Sequence, residues 1–74
     1  MKYSVEYIRR CREEGDEINY EFAKWMDLIN DFVFAVTSCS LLDLPDEMYM
    51  MNFENGMKWQ EMAFQVVYNA MNPY

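Results

Sequence analysis

Phe22-Ala23-Lys24-Trp25-Met26-Asp27-Leu28-Ile29-Asn30-Asp31-Phe32-Val33-Phe34-Ala35-Val36 is the stretch that decides the fold. Its apolar side chains Phe22, Trp25, Met26, Ile29, Phe32, Val33 and Val36 recur every three or four positions, the spacing of one buried helix face. The β-branched and aromatic run from Phe32 to Val36 would also suit a strand. It continues the helical phase with no turn residue before it, so the sequence predicts helix throughout. Asn19 or Asp16 can cap the start, because a short polar side chain can accept a hydrogen bond from a free N–H of the first turn. Glu17, Glu21, Lys24, Asp27 and Asp31 fall on the opposite face. Thr37, Ser38 and Ser40 then loosen the chain into a loop.

Working toward the N-terminus, Val5, Ile8 and Cys11 or Arg12 form a short apolar stripe, with Ser4 as the expected cap. Gly15 is placed to take the left-handed conformation past the helix end, where a Cβ would be strained. Working toward the C-terminus, Asp43-Leu44-Pro45-Asp46 reads as a helix start, since proline is tolerated in a first turn and carboxylates favour the positive end of the dipole. That third helix is predicted to run to about Asn55 and stop at Gly56. A fourth begins near Lys58 or Trp59, carries the stripe Trp59, Met62, Ala63, Val66, Val67 and Ala70, and ends at Asn72-Pro73. No repeat, low-complexity segment or linker separates these units. The expectation is therefore an all-α fold, one helical domain over residues 1–74 built as a small bundle of three to four short helices. Its expected core is Phe22, Trp25, Ile29, Phe32, Val36, Leu44, Trp59, Ala63, Val66 and Val67.

Composition narrows the chemistry. The chain has 74 residues and a net charge of −7, with no histidine and two cysteines. Residues 1–12 hold Lys2, Arg9, Arg10 and Arg12 against Glu6, a balance of +3, whereas residues 13–61 hold twelve carboxylates against Lys24 and Lys58, a balance of −10. Direct nucleic-acid binding is not expected of such a balance. The four N-terminal cations are expected to pair with Glu6, Glu13 and Glu14 or with the acidic face of the second helix. Ser38, Cys39 and Ser40 are the only nucleophile cluster, and without histidine they lack the usual base, so no enzyme is expected. No cofactor or metal is expected either: there is no close cysteine pair, and Asp43-Leu44-Pro45-Asp46-Glu47 lacks the alternating ligands and central glycine of a calcium loop. Cys11 and Cys39 read as small buried hydrophobes. No apolar stretch nears the roughly 18 residues of a membrane span and no signal-peptide pattern opens the chain, so the expected location is the cytoplasm.

The second half carries recognisable punctuation: a Trp25-bearing helix, then Leu42-Asp43-Leu44-Pro45-Asp46, a short segment with Tyr49 and Phe53, then Glu54-Asn55-Gly56, and a last helix with Glu61-Met62-Ala63. Over roughly residues 25–70 this resembles small uncharacterised proteins of phages, prophages and plasmids, which place a D-L-P-D helix start and an F-E-x-G stop before a short amphipathic C-terminal helix. Lys58 departs from the pattern, standing where a Ser or Thr cap would follow the glycine. The resemblance implies an accessory protein of a mobile element, a group that includes inhibitors of host defence such as anti-CRISPR proteins.

Two function classes follow as expectations. In the first, a small acidic protein in a bacterial host cell binds a complex with a Lys/Arg-rich surface, such as a CRISPR effector, and occludes its nucleic-acid path. Glu17, Glu21, Asp27 and Asp31 would mimic successive phosphates, since one helical turn rises about 5.4 Å, with Tyr49, Met50 and Phe53 as apolar anchors. In the second, the chain is a non-catalytic helical adaptor or a homodimeric structural or regulatory protein whose acidic surface only keeps it soluble. Tyr3, Tyr7, Tyr68 and Tyr74 would add a further patch from the two termini.

Overall fold

The computed structural model describes residues 3–72, which form four α-helices and a short 3-10 turn with no strand among them. Helix α1 spans Tyr3–Glu14, α2 Tyr20–Thr37, α3 Tyr49–Glu54 and α4 Trp59–Met71, and the 3-10 turn covers Leu41–Asp43. The all-α expectation holds.

Both glycines end helices by the same device. Gly15 has φ +74° and the next amide, Asp16 N–H, reaches back to the Cys11 carbonyl at 2.8 Å. Gly56 has φ +83°, and its own amide bonds Phe53 while Met57 N–H bonds the Asn52 carbonyl, each at 3.0 Å. These bonds satisfy carbonyls that a helix end leaves without partners. Asn19, and not Asp16, caps α2: its Oδ1 accepts from Phe22 N–H at 3.0 Å. Ser4 is not a cap. It lies within the first turns of α1 and is buried.

α2 is the central element, packed against α1, α4, α3 and the 3-10 turn. Met26, Ile29 and Val33 of α2 and Met62 of α4 are fully enclosed. At one end an aromatic cluster joins three helices, with Phe22 against Tyr7 (5.0 Å between ring centroids), Trp25 (5.9 Å) and Phe53 (5.3 Å). Such pairs are worth about 0.5–1.5 kcal/mol each beyond the area they bury. The Trp25 indole N–H donates to the Met57 carbonyl at 3.0 Å, so its polar edge is not stranded in the core. Trp25 meets Met57, just before α4, while Phe32 meets Trp59 and Phe64 of α4, so α4 packs against α2.

Two expectations about packing are corrected. Val36, placed in the core by the ladder of α2, is 52% exposed: among the described residues no other element covers the last turn on that side. Phe32, Leu44, Trp59 and Val67 are half-buried around the core and not enclosed in it. The third helix also starts later than predicted. Asp43 closes the 3-10 turn, Leu44 is extended (φ −106°, ψ 162°) as the residue before a proline is biased to be, and α3 begins only at Tyr49. Met48, at φ −84° and ψ 63°, makes an inverse γ-turn closed by Tyr49 N–H to the Glu47 carbonyl at 2.9 Å. Glu47 does not serve a helix N-terminus. Its carboxylate crosses to α4, accepting from Asn69 Nδ2 at 3.1 Å and Gln65 Nε2 at 3.4 Å. The fourth helix starts at Trp59 as expected, with Lys58 making no side-chain cap, and ends at Asn72. Lys2, Pro73 and Tyr74, which entered the sequence reading, lie outside the described residues.

Candidate functional site

The carboxylates assigned to one helical face do not form one. Glu17 precedes α2, in the extended segment 16–19, so it shares no helical register with Glu21. Glu21 and Asp27 are six residues apart, about 120° around the helix axis. Asp27 is half-buried, and its Oδ1 is shielded from solvent with no hydrogen-bond partner. Asp31 is exposed on the outer side of α2.

What the fold does assemble is an acidic corner between α1 and α2. Glu13, Glu14, Asp16, Glu17 and Glu21 are all exposed, and the Gly15 turn brings the end of one helix next to the start of the other. Glu13 and Glu14, like Asp16 and Glu17, are adjacent along the chain with Cα atoms about 3.8 Å apart. That is well inside the Debye length of about 8 Å at 0.15 M salt, so neighbouring charges act on an approaching partner together. Among the described residues the one ion pair joins Arg9 to Glu6, and none of the five corner carboxylates is paired. Of the expected pairings, Arg9 with Glu6 is present, whereas Arg10 and Arg12 form no ion pair with the corner among the described residues. Arg9, Arg10 and the corner's Glu13 line one cleft of about 390 Å³ between α1 and the 41–46 loop, with Glu6 and Asp46 beside them.

The expected apolar anchors divide. Met50 is exposed. Phe53 is half-buried, held edge-on by Phe22 and Trp25 at 5.3 and 5.4 Å. Tyr49 is only 5% exposed and packs against Tyr3 at 5.9 Å, so it belongs to the core and is not offered to a partner. Burial pushes the Tyr49 phenol well above its ordinary range, aided by the negative charge of Glu47, and its hydroxyl has no hydrogen-bond partner. The Tyr7 phenol is also raised, chiefly by burial, with its oxygen accepting from Asn19 N–H at 3.1 Å. Of the patch expected from Tyr3, Tyr7, Tyr68 and Tyr74, the three described members do not share a surface: Tyr7 is in the core, Tyr3 covers Tyr49, and Tyr68 stands exposed on α4; Tyr74 lies outside the described residues.

A different apolar surface is present, and the sequence reading passed over it. Phe64, Tyr68 and Met71 on α4 are 65%, 65% and 69% exposed. They stand at i, i+4 and i+7, a second apolar stripe on a face of the same helix roughly opposite its buried Met62, Ala63 and Val66. Phe64 meets Phe32 at 5.6 Å, which joins the stripe to α2, where Leu28 and Val36 are also exposed. The i, i+4, i+7 spacing is legible in the sequence, but the core stripe of the same helix competes with it as the buried face.

Cys11 is buried and Cys39 half-buried, both as free thiols. Among the described residues no three His, Cys, Asp or Glu side chains converge as metal ligands, and no helix is long and apolar enough to cross a membrane. No protein family, curated protein or solved structure matches this chain.

Proposed function

We propose that this chain is a non-catalytic binding protein of a mobile element that docks its acidic α1–α2 corner on a Lys/Arg-rich surface of a host nucleic-acid-handling complex, with a CRISPR effector as the leading case. The observation that carries this reading is that Glu13, Glu14, Asp16, Glu17 and Glu21, spread over the end of α1, the connection and the start of α2, are all exposed and form no ion pair among the described residues. Like charges so close repel one another and weaken the folded state, and a cationic partner relieves that repulsion. No reaction is needed, since a bound acidic body denies the path to nucleic acid by charge and bulk. Relative to the face read from sequence, the contact moves toward the corner, keeps Glu17 and Glu21, and leaves Asp27 out.

The exposed Met48, Met50 and Met51 favour a second reading, an adaptor held by apolar contact, because methionine adapts to varied surfaces. Salt separates the two. A tagged chain is incubated with lysate containing CRISPR effectors and washed at rising salt. The electrostatic reading expects recovery of a nucleic-acid-binding complex, lost at least about tenfold between 0.1 and 0.5 M salt. Glu17→Lys with Glu21→Lys should abolish capture while far-UV circular dichroism is unchanged. Capture indifferent to both changes refutes electrostatic docking and leaves the adaptor.

A further inference from the structure

The apolar face shared by α2 and α4 is independent of the acidic corner and asks for its own occupant. Its centre is the Phe32–Phe64 ring contact, with Leu28 and Val36 extending it along α2 and Tyr68 and Met71 along α4. The 44–49 loop cannot cover it. Glu47 holds that loop to Gln65 and Asn69, a different flank of α4, about a third of a turn away from Phe64, Tyr68 and Met71. α4 thus has apolar side chains on two faces and needs cover on both, which is the pattern of a helix buried in an assembly.

We propose that this face is closed by a second copy of the chain, giving a two-fold dimer in which α2 and α4 of each protomer pack on those of the other. Charge and area both point to this occupant. Two molecules of net charge −7 repel overall, which favours contact where charge is absent, and residues 62–71 of α4 carry no charged side chain. By helical register Asp31 and Glu61 stand at the rim. A whole aromatic side chain exposes roughly 150–250 Å². On that scale the exposed parts of Phe64, Tyr68, Met71, Leu28 and Val36 come to about 500–600 Å² per copy, and two copies reach the roughly 1,000 Å² that a specific interface must clear. A two-fold interface uses the same patch twice, so one self-complementary face is enough.

Sedimentation equilibrium of the full chain tests this. From 9.0 kDa per chain, the dimer has twice that mass, and it should dissociate on dilution. Raising salt should tighten it, since rim and net charges repel, the opposite of the response expected of the acidic corner. Phe64→Glu should weaken dimerisation by at least about 100-fold, as expected for a central apolar contact. Tyr68→Glu, at an exposed side chain with no ring contact among the described residues, repeats the test without touching the packing on Phe32. Val5→Glu, on the exposed side of α1, should leave the dimer intact. A mass of 9.0 kDa at all concentrations overturns the proposal, as does a dimer that survives Tyr68→Glu. Neither result bears on whether the corner binds a basic partner.

Discussion

Replacing Asn30 by alanine should destabilise the fold far more than replacing Ser40, although each side chain accepts one hydrogen bond from the backbone of the same short turn. Asn30 is 4% exposed on α2, and its Oδ1 receives the N–H of Leu41, itself 4% exposed, at 2.9 Å. Ser40 Oγ receives the neighbouring N–H of Leu42 at 3.1 Å, but in an exposed setting. Without Asn30 the Leu41 amide stays buried with no water to replace its partner, which costs about 1–3 kcal/mol. A small void adds to this, so about 2–3 kcal/mol is expected in total. Without Ser40 the Leu42 amide turns to solvent, at a cost of about 0.5 kcal/mol or less. A domain of this size is stable by about 4–11 kcal/mol, so Asn30→Ala removes a large share. At about 4–8 °C per kcal/mol, its Tm should fall by at least about 8 °C and that of Ser40→Ala by less than about 4 °C. Urea unfolding followed by circular dichroism, with unchanged slope, measures both. Equal losses, or a loss below about 0.5 kcal/mol for Asn30→Ala, would show that the turn is not anchored through α2.

Tyr49→Phe should be neutral or stabilising by up to about 1 kcal/mol in the same urea assay, because it removes a buried hydroxyl that has no partner; a loss above about 1 kcal/mol would refute this. The wild-type chain should lose stability at alkaline pH. The folded pKa values of Tyr7 and Tyr49 lie above the unfolded value of 10.0, so their contribution is complete below that pH and is lost as pH rises through the folded values. Tyr49→Phe should move the alkaline unfolding midpoint upward, as read by near-ultraviolet circular dichroism. Gly56→Ala should cost about 1–2 kcal/mol from φ +83° alone, since nothing lies within 4 Å of the added Cβ, and Gly56→Asn should cost less. Equal loss for the two variants would mean that something other than backbone strain sets the cost.

The sequence by itself determined where helices lie and how most of them end. Asn19 caps α2, Gly15 and Gly56 stop α1 and α3, and the ladder from Phe22 to Val33 faces inward. Those outcomes depend on local steric limits and on spacing within one element, which the order of residues specifies. Local patterns failed where another element competed for the same residue. Asp43-Leu44-Pro45-Asp46 has the chemistry of a helix start, yet the 3-10 turn anchored on Asn30 and the reach of Glu47 to α4 hold the chain extended until Tyr49. Val36 continues the apolar ladder, but burial needs a neighbour, and none among the described residues covers it. The candidate site followed the same division. That the chain between the first two helices is acidic was legible, whereas which carboxylates share a surface was not. Glu17 left the helical register when the cap fell at Asn19, and Asp27 turned partly inward. Tyr49 became core because Tyr3 of α1 closes over it, a contact across 46 positions of sequence that no local pattern encodes. Tertiary structure alone decided exposure, because exposure is a property of two surfaces and a sequence pattern describes only one.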